Sequence, residues 1–217
     1  AGAEIVELTV VHTNDIHGGI DPSDATYMNR EFPPRLGGAA SMVTLLQRLR
    51  AETEAGNGDF LLVDSGDTFQ GTPIGTLTKG RAVIDFMNAA RYDVLSLGNH
   101  DFDEGKENCR ELVARAKFPV VAANLIDEET GETASWVEPW IVKDFGNLRV
   151  GILGLITPET ENMSFPANVA GLDFVPMAPV VRRAIAELRA QDVDLVLAVG
   201  HVGIPYSPEA HWARMEA

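Results

Sequence analysis

Short apolar runs punctuate the chain at Val6 to Val11, Phe60 to Val63, Val94 to Leu97, Val120 to Ala123, Val150 to Leu155 and Leu195 to Val199. Rich in branched side chains and bounded by polar residues, they read as strands. Between them, Met42, Leu45, Leu46 and Leu49, then Val83, Ile84 and Met87, and later Val181, Ala184, Ile185 and Leu188 recur at helical spacing. Each set falls on one face of a helix. The alternation predicts a layered α/β fold, a β-sheet core flanked by helices on its outer faces.

No internal repeat, low-complexity tract or Pro- or Ser-rich linker divides the chain, so a single domain is expected. Two stretches break the pattern. Residues 21–36, with Pro22, Pro33 and Pro34, read as a long loop of the kind that often carries function. Residues 127–139 are acidic, contain Gly131, and read as an exposed turn between strands.

Composition narrows the partners. A net charge of -15 opposes binding to a nucleic-acid duplex or an anionic membrane, because no long basic patch offsets it. Most of the acid reads as solvated surface, with a minority of carboxylates left over for cations. No apolar run approaches the roughly 20 residues of a membrane span. The single cysteine, Cys109, cannot pair within the chain and reads as an inert residue on a helix.

The chemistry lies where the strands end, the edge at which open α/β sheets bind ligands. After the first strand come Asn14, Asp15, Ile16 and His17, with Asp15 and His17 two apart and therefore on the same side of an extended segment. After the second come Asp64, Ser65, Gly66 and Asp67, where the glycine allows a sharp turn that presents a carboxylate able to bridge two cations. After the third come Gly98, Asn99, His100, Asp101 and Asp103. A helix cap accounts for Asp101 or Asp103 but leaves Asn99 and His100 without a structural reason. After the last strand comes His201. Carboxylate, amide and imidazole together suit Zn, Mn, Fe or Ni.

The segments VVHTNDIHGG, VDSGDTFQGTP, LSLGNHDFDEG and GHVG resemble the successive motifs of the calcineurin-like metallophosphoesterases. The stretches RLGGAASMV and KDFGNLRVGILGLITPET resemble the branch that contains 5'-nucleotidases and UDP-sugar hydrolases. The resemblance implies a four-layer α/β/β/α sandwich and metal-dependent hydrolysis of nucleotide phosphomonoesters by a hydroxide activated between two divalent ions, Zn, Mn or similar. It implies Asp15 and His17 on the first metal, Asp67 bridging both, and Asn99 and His201 on the second. His100, oriented by Asp103, would face the substrate phosphate beside Asn99. Ligand histidines are expected to donate their second N–H to a carboxylate or carbonyl. Asn124 could support the site or serve a turn, and His12 reads as structural.

The resemblance also implies a later Gly-His-x-His motif and a C-terminal nucleotide-binding domain, neither of which occurs within residues 1–217. The chain is accordingly expected to be an incomplete catalytic domain, with weakened second-metal binding and impaired turnover when isolated. His211 stands in a helical pattern and is not assigned to a metal. A 2',3'-cyclic phosphodiesterase, another phosphoesterase on the same scaffold, and a non-catalytic binding domain are the alternatives. The family's exported members suggest a periplasmic or extracellular location.

Overall fold

The computed structural model describes residues 5–203. The first half runs β1 Leu8–Thr13, β2 Ser23–Asp24, β3 Arg35–Leu36, α1 Ala39–Ala55, β4 Asp59–Asp64, α2 Pro73–Leu77, α3 Arg81–Ala90 and β5 Val94–Ser96. A 3-10 turn at Asn99–Phe102 leads into α4 Lys106–Arg115 and β6 Val120–Val121. The second half runs β7 Leu125–Asp127, β8 Trp140–Asp144, β9 Arg149–Ile156, α5 Thr160–Met163, α6 Pro166–Val169, β10 Leu172–Phe174, α7 Met177–Arg189 and β11 Leu195–His201.

Two sheets make the core. One is parallel, in the order β1-β4-β5-β6; the other is β11-β9-β8, with β11 parallel and β8 antiparallel to β9. Strand alternation decides which residue meets which layer. In β4, Leu61 and Val63 face the second sheet, where they join Val94, Val121, Val150, Ile152 and Val199 in an all-aliphatic layer. Phe60 and Leu62, one residue out of phase, pack instead with Leu46, Val83, Met87 and Leu112 of α1, α3 and α4. On the other side Leu153 and Leu155 of β9 meet Val180 and Ala184 of α7. The expected α/β/β/α layering is therefore present.

The sequence-based helices follow their stripes, with one departure. Val83, Ile84 and Met87 are buried, as are Ala184 and Leu188, but Leu45 is half exposed beside a fully packed Leu46. Leu45 flanks a groove of Val11, Ile16, Ile20 and Met42 that opens beside the end of β1. The irregular stretch at residues 21–36 closes on itself through the short antiparallel pair β2 and β3, and leaves Tyr27 and Phe32 exposed. Of residues 127–139 only the first part is the exposed turn expected, in which the Asp127 carboxylate accepts the N–H groups of Glu129 and Thr130; Ala134 and Val137 are buried in the core. Strands β7, β8 and β10 carry too little apolar periodicity to stand out in the sequence.

The sheets touch without intervening side chains near the ends of β6 and β9. A Cβ added to Gly154 would lie 2.2 Å from the Val121 carbonyl oxygen. Ala123 N–H donates to the Gly154 carbonyl at 2.8 Å, and Ser96 Oγ donates to that of Leu155 at 3.2 Å. Buried Asn124 completes the junction: its amide donates to the Ile156 and Val175 carbonyls and accepts the Ile156 N–H. Asn124 thus joins the sheets rather than contacting the site residues.

Gly154→Ala is expected to destabilise the chain by about 2–3 kcal/mol, because the new methyl meets backbone that cannot move aside. Gly56→Ala at the end of α1, where the added Cβ finds its nearest neighbour at 3.4 Å, should cost less than about 1 kcal/mol. Urea denaturation of both variants checks the contrast, and equal stabilities would show that the sheets are free to separate.

Candidate functional site

Parallel pairing of β1 with β4 places Thr13 beside Asp64, and the main chains continue side by side beyond both strands. Ser65 N–H donates to Thr13 O, Asp15 N–H to Gly66 O, His17 N–H to Asp67 O and Gly18 N–H to Thr68 O, all at 2.9–3.0 Å. The segment carrying Asp15 and His17 is not extended, contrary to expectation. Asp15, His17 and Asp67 all have left-handed backbones, with φ of 50°, 47° and 58°. The turns still bring the side chains together, with His17 Nε2 at 3.5 Å from Asp15 Oδ1.

Asp67 lies at the centre. Its Oδ2 is 3.8 Å from His17 Nε2 and 3.1 Å from His201 Nε2, while its Oδ1 accepts the His100 N–H at 2.8 Å. Both imidazoles are anchored through the opposite nitrogen: His17 Nδ1 donates to the Gln70 carbonyl at 2.6 Å and His201 Nδ1 to that of Ser65 at 3.1 Å. A neutral ring that donates from Nδ1 presents a lone pair at Nε2. Two lone pairs therefore point at one carboxylate oxygen, an arrangement that needs a proton or a cation between them.

The hydrogen bond and charge interaction of His201 with Asp67 raise its pKa against the opposing effect of partial burial. Burial pushes the Asp67 carboxyl up, but the hydrogen bond and charge of His201, with the His100 amide, hold it below the usual carboxylate range. The donor set fits a metal equally well. Cations held at about 2.0–2.2 Å by nitrogen and oxygen require neighbouring donors roughly 3–4 Å apart. Ligand atoms of Asp15, His17 and Asp67 all lie within 4.8 Å of one another.

Asn99 opens the 3-10 turn and is buried, next to Gly98, where an added Cβ would lie 2.2 Å from Asp67 Oδ1. His100 Nδ1 and Asp103 Oδ2 are 2.8 Å apart, and the His100 ring stands edge-on to His17 with centroids 5.5 Å apart. Asn168 Nδ2 donates to the Asp103 carbonyl at 2.8 Å, so the segment after β9 buttresses this turn. His12, read as structural, has its Nε2 at 2.7 Å from Ser65 Oγ, below the site. Cys109 is buried in the core, where burial raises its thiol pKa well above the usual value. His211 lies outside the described residues.

Sequence reasoning missed a buried acid beneath the loops. Asp64 accepts the Gly66 N–H at 2.8 Å and the Thr13 hydroxyl at 2.5 Å, and Thr13 Oγ1 is 3.0 Å from the Tyr92 hydroxyl. Desolvation lifts its pKa to about 7. The only hint in the sequence is a carboxylate closing an apolar strand.

With fold and donors in place, the match to known proteins is specific: residues 8–215 correspond to the calcineurin-like phosphoesterase family. The chain belongs to that family. Its members use divalent metals. Human 5'-nucleotidase is 36% identical over 203 residues, covering 91% of this chain and 34% of its own length. A 5'-nucleotidase of Vibrio cholerae is 33% identical over 200 residues, covering 91% and 34%. The crystal structure of a 5'-nucleotidase precursor from Thermus thermophilus superposes with a TM-score of 0.79 at 34% identity, over 90% of this chain and 37% of that one. The chain thus spans about a third of the length of these family members.

The folded chain holds the Asp64 proton more tightly than the unfolded chain does. Stability from the neutral carboxyl is therefore fully present below about pH 4 and is lost as pH rises through about 7. In Asp64→Asn the amide can accept from Gly66 and donate to Thr13 without titrating. In the presence of a chelator, stability of the native chain relative to this variant should fall by about 2–3 kcal/mol between pH 5 and 8. Parallel urea-denaturation profiles across that range would refute the buried neutral acid.

Proposed function

We propose that the protein hydrolyses nucleotide phosphomonoesters as a 5'-nucleotidase, with Asp15, His17, Asp67, Asn99 and His201 holding two divalent cations. One observation carries this reading: Asp67 Oδ2 is shared by two imidazoles, His17 from the first sheet and His201 from the second, each anchored through Nδ1. A carboxylate flanked in this way suits a bridging role between two cation positions, Asp15 and His17 serving one, Asn99 and His201 the other. Divalent cations in such a site supply Lewis acidity, acidify water and neutralise charge on phosphate.

The remaining groups act on the substrate. His100 is part exposed, and its Nδ1 is held by Asp103, so its Nε2 is left for the phosphate. A ring protonated on both nitrogens donates one N–H to Asp103 and the other to a phosphoryl or leaving oxygen as charge develops there. Asp103 fixes the tautomer and the angle of that ring. Asn99 is one residue earlier on the same turn.

The substrate class follows from the relatives, which are named 5'-nucleotidases in human and Vibrio cholerae. No helix among the described residues is long and apolar enough to cross a membrane. Relatives include venom enzymes, one from Crotalus adamanteus 34% identical over 213 residues, and the Thermus protein is named a precursor. These support an extracellular or periplasmic location.

Phosphate release from AMP by the intact protein should stop on chelation and return with added Mn2+ or Zn2+. His100→Ala should lower kcat by about 10²- to 10⁴-fold while cation binding, read by calorimetry, persists. Asp67→Ala should lose both. A His100→Ala protein with native turnover would remove this residue from the chemistry, and a native protein that releases phosphate from no nucleotide would sink the function.

A further inference from the structure

The buried carboxylate of Asp101 has no place in the chemistry above, yet all of its bonds lead to the site. Oδ2 accepts the N–H of Gly98 at 2.8 Å and of Asp67 at 3.1 Å; Oδ1 accepts the N–H of Thr68 at 3.0 Å and its hydroxyl at 2.6 Å. One bond, from Gly98, caps the 3-10 turn that contains Asp101, whereas the helix that follows, where the sequence suggested a cap, starts after Gly105 without a side-chain cap. The other three cross to a different loop, the one that carries Asp67.

A cap at a turn needs one acceptor and works at the surface. Asp101 is only 2% exposed and lies against Ile84, Leu95, Leu97 and Leu112. A carboxylate in such surroundings is costly unless its lone pairs are filled. Every donor that fills them comes from the loops after β4 and β5, and none comes from the helices packed around it. The arrangement is reciprocal: the Asp101 side chain holds the Asp67 N–H, and the Asp67 side chain holds the His100 N–H two residues past Gly98.

We propose that Asp101 is the positioning residue for Asp67: by gripping the amides of Asp67 and Thr68 it holds the left-handed backbone at Asp67 and aims its carboxylate between His17 and His201. The proposal rests on the reading of Asp67 as a cation ligand. A left-handed aspartate is strained, and its own φ of 58° gives no reason for the side chain to point at the two imidazoles. The grip on the two successive amides supplies that reason. An asparagine at 101 would turn an N–H2 group toward N–H donors on one side, so the loop would have to shift.

The test measures Mn2+ affinity by calorimetry on the intact protein well below its thermal transition, in the native form and in Asp101→Asn and Thr68→Val. Folded Asp101→Asn should bind Mn2+ about 10- to 100-fold more weakly, the usual effect of losing a group that orients a ligand. Thr68→Val, which deletes only the hydroxyl donor, should weaken binding by a smaller factor and keeps the proposal testable if Asp101→Asn does not fold. Amide exchange at Asp67 and Thr68 should quicken in both. A purely structural role predicts lower melting temperature with native Mn2+ affinity in the folded variants, and that result overturns the proposal while leaving the cation site intact. Absence of Mn2+ binding by the native protein would instead overturn the cation reading, and this proposal with it.

Discussion

Main-chain hydrogen bonds between the segments that follow β1 and β4 are the constraint on which the site depends. Strand pairing ends at Thr13 and Asp64, but the two chains remain bonded as far as Gly18 and Thr68, through Asp15, His17 and Gly18 on one side and Gly66, Asp67 and Thr68 on the other. Three non-glycine residues within this stretch have left-handed backbones. Each such residue costs of order 1 kcal/mol, and it persists only where its surroundings leave no alternative. The lateral bonds supply that restriction, and the strain they hold is what turns Asp15, His17 and Asp67 toward one point.

Electrostatics reinforce the same geometry. Asp64, Asp67 and Asp101 are all nearly inaccessible to water, in a chain that is already strongly acidic. Each is settled differently: Asp64 by the Thr13 hydroxyl, the Gly66 N–H and a raised pKa, Asp67 by His201, Asp101 by four donors from the loops after β4 and β5. Elsewhere the negative charge is handled as ordinary surface, for example by the exposed pair of Asp85 and Arg115. Carboxylates kept close together and dry are costly in an isolated protein and become favourable where a cation is to be held.

Much of this was legible in the sequence because strands and chemistry share a period. Apolar runs that end in Asp, Asn or His mark both the sheet and its functional edge, and the four post-strand segments do converge in space. Less visible were the elements without apolar contrast. β8, from Trp140 to Asp144, is intermediate in burial almost throughout, and β7 and β10 are three residues each. Local backbone geometry was also out of reach: the spacing of Asp15 and His17 suggested an extended chain, whereas paired left-handed turns bring them together. Asp101 could not be assigned from sequence because three of its four hydrogen bonds reach residues more than thirty positions away.

The contact of Gly154 with Val121 has a mechanical meaning. Four of the groups around Asp67 hang from one sheet, and His201 hangs from the other, so their separation is only as firm as the joint between the sheets. Packed side chains alone would let two such surfaces slip past each other by small rotamer changes. Here main chain meets main chain, stitched by Ala123, Ser96 and the amide of Asn124 within a few residues of the site. The joint resists shear, and the gap between His201 and Asp67 is thereby gauged by backbone dimensions, which thermal motion alters far less than it alters side chains.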